Sequence, residues 1–474
     1  MKRITFTFAL MLCITFLMNA QQEFWYEGIH YRTIDYYSVE VISANDSIYS
    51  GRIIIPRYAM YETVDPQGIT HVEEFEVKAL ADSAFFRCSN LTSIVLPKSL
   101  ERIGDYAFYY CTGLTSIDLP NSVKSIGLRS FYQCKNMASI TLSNTLERIG
   151  YFAFGWCHSL HEVNLPNSLT TVEEGAFFSS GLRSVVIPES LTEIAPSMFR
   201  DCGYLTSVTL PNTITKIGNS AFEYCSFNRI TLPNSVTTIE AGAFRFGLLL
   251  EITLNESLER IEGRAFEYNP LTHIEIPNSV TYIGGMLFNE CDRLKSVKFG
   301  NRVDTIGYGV CYDCDSLESV TIPNSCKELG AYAFYRCRNL TSVVLGNSLE
   351  TIGNTAFRET ALTSVTSLNL TPPLGYADIF DRRYDVATLY VPNSVVETYR
   401  TAYMWEQFTN IVGIEVDTKP GDMNGDDILD IDDVTIMISM LLNGEQLPSY
   451  ADLNGDETVD IDDVTLLISK LLGY

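Results

Sequence analysis

The motif Ala-Phe-x-x-Cys returns every 22 or 23 residues along most of this 474-residue chain, and that return limits what the chain can fold into. Its aromatic falls at Phe85, Phe108, Phe131, Phe154, Phe177, Phe199, Phe222, Phe244, Phe266, Phe288, Phe334 and Phe357, with Cys311 in the same place between Phe288 and Phe334. Two full copies read LTSIVLPKSLERIGDYAFYYC (91–111) and LTSVTLPNTITKIGNSAFEYC (205–225). A unit this short cannot bury its own apolar face, so it must stack on its neighbours and share one interior with them.

Within a unit the alternation of Leu91, Ile94 and Leu96 predicts a short strand with those side chains inward. Pro97 ends it. Leu100 and Ile103 then point inward, Gly104 permits a turn, and Ala107-Phe108 plugs the coil. Stacking places the strands in a parallel ladder about 4.8 Å apart.

This unit resembles the bacterial leucine-rich repeat of the BspA and Treponema type, over roughly residues 75–370. The resemblance implies a curved solenoid at the cell surface that adheres to or binds macromolecules, and it brings no catalytic residues. The expected fold is an α/β solenoid of about 13 repeats over 81–365, with a parallel β-sheet on one face. Alternating aromatic and β-branched residues such as Tyr31, Ile34, Tyr36 and Val39 predict a β-rich N-terminal cap over 21–80. Residues 366–414 lose the register and read as a C-terminal cap, with a strand over 387–391 and a helix from Val395 to Phe408.

Residues 1–20 read as a secretory signal: basic Lys2 and Arg3, an apolar stretch to Met18, and small Ala20 at the cleavage point. No later segment is long and apolar enough to predict a membrane span. Export raises the question of disulfides. Cys88, Cys111, Cys134, Cys157, Cys202, Cys225, Cys291, Cys314 and Cys337 share one column, which Ser180, Gly247, Asn269 and Thr360 occupy in other units. That mixture predicts reduced cysteines filling a site that demands small size.

Outward strand positions are mostly Ser and Thr. The departures lie mid-array: His161, Glu162, Asn164, Arg183, Arg229, Glu251, His273, Glu275, Lys295 and Lys298. Repeat proteins usually bind on such a face, so these residues, Asn164 least distinctive among them, form a candidate contact region for a protein or glycan ligand.

The formal net charge of −25 disfavours nucleic acid and anionic membranes as partners. From Glu415 onward fifteen acidic residues face two basic ones, so 13 of the 25 net negative charges lie there. They are spaced, not random. After a linker at 415–420, residues 421–474 carry Asp-x-Asn-x-Asp-x-x-x-Asp-x-x-Asp twice. A twelve-residue loop of this kind supplies a hard cation with oxygens from positions 1, 3, 5, 7, 9 and 12. The first set is Asp422, Asn424, Asp426, the Ile428 carbonyl, Asp430 and Asp433. The second is Asp452, Asn454, Asp456, the Thr458 carbonyl, Asp460 and Asp463. Two Ca²⁺ ions are expected, since all-protein oxygen cages suit Ca²⁺ better than Mg²⁺. Position 6, usually Gly, is Asp427 and Glu457. Leu429 and Val459 would pair the loops. A helix follows each, with Val434, Met437, Ile438 and Leu441, then Val464, Leu467, Ile468 and Leu471, on the apolar face.

This segment resembles a type I dockerin, a small all-α calcium-binding module whose family docks to a cohesin on a scaffold, often in polysaccharide-degrading complexes. Partner-selecting positions 10 and 11 are Ile431-Asp432 and Ile461-Asp462, not the commoner Ser-Thr. No nucleophile, zinc or phosphate-loop motif occurs among the five His or elsewhere, so no enzyme is expected. Three functions stay open: a secreted or surface adhesin, a non-catalytic subunit of an extracellular polysaccharide-degrading complex, and a repeat rod that the calcium module only caps and stabilises.

Overall fold

A computed structural model describes residues 21–44, 48–376, 378–415, 420–423, 428–444, 447–456 and 458–473, without the side chains of Arg382 and Ser449. The signal segment and most of the linker lie outside the described residues. The chain divides into two compact units, residues 1–227 and 228–474.

In the first unit the N-terminal strands are β1 (Glu23–Tyr26), β2 (Ile29–Thr33), β3 (Ser38–Val41), β4 (Gly51–Ile54), β5 (Tyr58–Val64) and β6 (Thr70–Leu80). β1, β2 and β3 pair antiparallel in sequence, β5 pairs antiparallel with β6, and β3 pairs parallel with β6. β6 then starts a parallel ladder that the repeats continue, and β4 pairs parallel with the first strand of the repeats alone. β4 pairs with Leu91–Val95, and β6 with Arg102–Ile103. Tyr49 lays its ring on Phe85, 4.8 Å away, and covers that end of the Phe column. Its hydroxyl accepts the His30 N–H, and burial pushes its pKa up to about 12.

Most repeats contribute two strands. The three-residue strands pair in register, as in Ser116–Asp118 with Ser139–Thr141 and Ser184–Val186 with Ser207–Thr209. A second parallel ladder runs through Arg102–Ile103, Ser125–Ile126, Arg148–Ile149 and Thr171–Val172. The sequence gives Ile103 only as an inward residue; two-residue strands fall below what alternation can signal. Inside, the rings of Phe85, Phe108, Phe131, Phe154, Phe177, Phe199 and Phe222 stack at centroid separations of 5.0 to 5.7 Å, and none of them is solvent-exposed.

The second unit repeats this plan. Its strand ladder runs His273–Glu275, Ser296–Lys298, Ser319–Thr321, Ser342–Leu345, Ser364–Ser367, Thr388–Pro392 and Asn410–Ile414. Phe244, Phe266 and Phe288 stack at 5.6 and 5.9 Å, and Phe334, Phe357 and Phe380 at 5.4 Å each. Tyr384, Trp405 and Phe408 close over Phe380 at 5.4 to 5.7 Å.

Three expectations need correction. The helix from Val395 to Phe408 is broken: α1 spans only Val396–Thr401, and a 3-10 turn covers Trp405–Gln407. Ala402 is extended and Met404 left-handed, which turns Trp405 inward so that its indole N–H donates to the Pro373 carbonyl at 2.9 Å. Gly104 has no positive φ. A Cβ there would lie 2.6 Å from the Ala81 backbone, so this glycine allows neighbouring coils to approach, not the chain to turn.

The third correction concerns the cysteine column. All eleven cysteines described are free and buried. The column thiols donate to the carbonyl of the Phe position one coil back: Cys111 to Phe85 at 3.0 Å, Cys134 to Phe108 at 3.2 Å, Cys202 to Phe177 at 3.1 Å. Asn269 keeps this pattern through its Nδ2, which donates to Phe244 at 2.7 Å. It fits because Gly247 stands one coil back, where a Cβ would lie 2.7 Å from the Asn269 Oδ1. Most occupants of the column therefore donate a hydrogen bond as well as being small, Gly247 excepted. Cys134→Val is expected to lower stability by about 0.5–1.5 kcal/mol, because the Phe108 carbonyl loses one of its two donors and keeps only the Cys111 N–H. Cys134→Ser keeps a donor and should lose less. Equal losses in urea unfolding would refute the donor role.

Serine hydroxyls add a second set of staples between coils, as in Ser122 to the Leu100 carbonyl at 2.6 Å and Ser168 to Leu146 at 2.7 Å.

Candidate calcium module and solenoid face

The C-terminal module is built from two loop-helix copies. α2 spans Ile431–Asn443 and α3 spans Ile461–Leu472. Each begins with a capping box: the N-cap carboxylates Asp430 and Asp460 accept the amides of Asp432 and Asp462, and Asp433 and Asp463 reach back to the N-cap amides. Each helix ends at a left-handed glycine, Gly444 and Gly473.

The core of the module is Met423, Val434, Met437, Ala451, Val464 and Leu467, with Leu429, Leu441, Val459 and Leu471 packed against it. Ile438 and Ile468 do not join that core; each is more than a third exposed, beyond the inward stripe.

The two copies share their hydrogen bonds. Asp433 accepts Met423 N–H at 2.8 Å and Asp430 N–H at 2.9 Å. Asp463 accepts Leu453 N–H at 2.7 Å, Asn454 N–H at 3.1 Å and Asp460 N–H at 2.9 Å. Both carboxylates are fully buried. In the second loop Asp452 Oδ1 accepts the amides of Gly455 and Asp456, and Asn454 Oδ1 accepts that of Asp456. The Thr458 side chain and amide donate to Asp456 and hold its carboxyl below the usual carboxylate range.

The donor chemistry fits a hard cation: carboxylate, amide and carbonyl oxygens, with no nitrogen or sulfur ligand in the loop. Among the described residues, however, no group of three acidic, His or Cys side chains converges as a metal site. Asn424, Asp426, Asp427 and Glu457 lie outside the described residues, so the position-6 substitutions do too. Asp422, Ile428 and Asp452 stand at the loop positions the spacing assigns them.

The polar departures on the strands fall in two groups. In the first unit, Glu162 and Arg183 are exposed and His161 is half-buried, its Nδ1 3.1 Å from the Gly181 carbonyl. Residues 160–166 form no strand there. In the second unit the charges pair: Arg229 with Glu251 at 3.0 Å, and Lys298 with Glu275. His273 Nδ1 lies 2.9 Å from the Thr272 hydroxyl. Lys295 borders a shallow depression of about 370 Å³ with Ser316, Glu318, Asn339 and Thr341. Arg229 and Lys298 thus each have a carboxylate partner one coil away.

Among the described residues no helix is long and apolar enough to cross a membrane.

Residues 78–205, 179–284 and 259–377 match the BspA type leucine rich repeat region, and residues 420–472 match the dockerin type I domain. Together the repeat matches run from 78 to 377, more than half of the chain. A leucine-rich repeat protein from Bacteroides ovatus is similar in structure, with 25% identity and a TM-score of 0.61 over 83% of this chain and 100% of its own. A leucine rich cell surface protein from Faecalibacterium prausnitzii is 24% identical with a TM-score of 0.44, covering 74% of this chain and 95% of its own. The leucine rich repeat protein of T. pallidum is 27% identical with a TM-score of 0.35, over 43% and 86%. No curated protein matches the chain. Repeats and dockerins of these kinds are typically non-catalytic and extracellular, and type I dockerins bind calcium and pair with cohesins. The chain belongs to the BspA-type leucine-rich repeat family and carries a type I dockerin domain at its C-terminal end.

Proposed function

We propose that this is an exported, non-catalytic binding protein that attaches through its calcium module and holds a macromolecule on its repeats. The observation that carries this reading is the joining of a repeat array to a dockerin whose two copies share one hydrogen-bond plan around buried Asp433 and Asp463. Each copy takes one Ca²⁺. The ligands are Asp422, Asn424, Asp426, Ile428, Asp430 and Asp433 in the first, and Asp452, Asn454, Asp456, Thr458, Asp460 and Asp463 in the second. Bound there, the ions would offset the charge of the loop carboxylates, while Asp430 and Asp460 cap the helix starts. The strand face, with His161, Glu162 and Arg183 in one unit and Arg229, Glu251, His273, Glu275, Lys295 and Lys298 in the other, meets a protein or glycan.

Immobilised full-length protein tested against a panel of cohesin modules decides the attachment role. Capture in calcium and release by chelator is the expected result. Two calcium ions bound in calorimetry with no cohesin captured would reduce the module to a stabilising element. The dockerin also supports membership of an extracellular polysaccharide-degrading assembly. Under that reading the captured cohesin belongs to a scaffold that also carries catalytic subunits.

A further inference from the structure

The columns on either side of the buried Phe carry a surface that the function above does not use. In the first unit Phe86, Tyr109 and Tyr132 stack at 5.1 and 5.3 Å with interplanar angles of 3° and 7°. Arg87 lies over the rings of Phe86 and Tyr110 at 5.3 and 5.9 Å, and Arg129 over those of Tyr132, Tyr151 and Phe152 at 5.4 to 5.9 Å. Phe86 is 40% exposed and the other rings are half-buried. The same columns turn polar in the following coils, at Ser197, Arg200 and Asp201 and then at Ser220 and Glu223. Aromatics return to these columns farther along, at Tyr224, Phe246, Tyr268, Tyr312 and Tyr335, so the repeat accepts them without requiring them.

A further observation marks the patch. Arg87 and Arg129 meet no carboxylate within ion-pair distance among the described residues, whereas Arg102, Arg148 and Arg200 of the same unit are ion-paired. The Arg129 Nε and Gln133 Oε1 atoms also lack a hydrogen-bond partner.

The geometry points to this patch, at Phe86, Arg87, Tyr109, Arg129 and Tyr132, as a docking surface for an acidic polypeptide segment. Rigid aromatics beside Arg are the composition of interface centres, and rings already fixed by stacking lose little entropy on binding. Charge complementarity selects an acidic partner. Ring geometry selects a polypeptide over a polysaccharide. In the ladder the ring faces are spent on one another, so the patch presents ring edges, hydroxyls and guanidiniums. A sugar stacks on an open face. A carboxylate is drawn to the positive edge of the ring quadrupole and to the guanidiniums.

The test is fluorescence anisotropy of labelled poly-L-glutamate with the full-length protein at fixed calcium, with polygalacturonate as a second anionic probe. Poly-L-glutamate is expected to bind despite the acidic chain, more weakly as salt rises. Arg87→Gln with Arg129→Gln should weaken it at least tenfold with the urea midpoint unchanged, and Tyr109→Ser about threefold. Arg229→Glu, on the strand face of the proposed function, should leave it unchanged, so the two surfaces fail or stand separately. Absence of poly-L-glutamate binding, equal binding by the double variant, or tighter binding of polygalacturonate at matched charge would each overturn the assignment.

Discussion

Phe154→Ala should lower the unfolding free energy of the protein by about 3–5 kcal/mol, the range for emptying a buried aromatic site. Phe154 has no solvent exposure, and its ring lies 5.3 Å from both Phe131 and Phe177. Removing it takes two stacked contacts from the column and leaves a void between coils that cannot collapse. The backbone here is held on both sides: Phe154 N–H donates to the Ala176 carbonyl at 2.7 Å, and Cys157 Sγ donates to Phe131 at 3.1 Å. Phe154→Leu fills most of the space and should lose about half as much. Denaturant unfolding followed by far-UV circular dichroism reads both values. A loss below about 1 kcal/mol for Phe154→Ala would place the ring outside any continuous interior.

Asp463→Ala should unfold the C-terminal module when calcium is absent. Its buried carboxylate accepts three backbone amides and fixes the start of α3. Hydrogen bonds to a charged group contribute about 1.5–3 kcal/mol each. The module has only six core residues to set against their loss, and domains this small are marginal. In the unaltered protein, calcium at a thousand times its dissociation constant would add about 4 kcal/mol. The variant should therefore lose one calcium site in calorimetry, and protease should cut the module away at concentrations that spare the parent protein. An intact module with two calcium ions bound would show that Asp463 neither holds the loop nor ligates.

These effects trace back to features of unequal visibility in the sequence. The Phe column and the strand alternation were legible because each recurs at a fixed interval, and recurrence survives variation in any single unit. The second ladder was not, because two-residue strands such as Arg102–Ile103 leave no alternation to read. The role of Cys134 was half legible: its column showed small residues, while the bond to Phe108 depends on which carbonyl the next coil brings near. Ser122 and Ser168 hid in the same way, as polar residues in a turn that in fact bind the coil before them.

The C-terminal module was legible through spacing, since a twelve-residue oxygen pattern recurs there twice and the segment matches the dockerin type I domain. Spacing did not show that Ile438 and Ile468 leave the core, because a helical stripe read from sequence has no sharp border. The pairing of the strand-face charges was not legible for a different reason. Arg229 and Glu251 are 22 residues apart in sequence, yet the coil period makes them neighbours at 3.0 Å. The aromatic patch escaped notice because attention to strand positions passes over the residues flanking the Ala-Phe pair, where Phe86, Tyr109 and Tyr132 recur at the repeat interval.

One reagent reaches the centre of the account, which is a stacked interior lined by a column of Phe rings and a column of donors. Thiol titration of the protein lacking residues 1–20, without reductant, should find no reactive cysteine in the native state and all eleven after unfolding in denaturant. Burial raises the pKa of these thiols, which keeps them protonated and inert while the coils are stacked. Rapid native labelling, or fewer than eleven thiols released on unfolding, would mean that the coils do not enclose the interior described here.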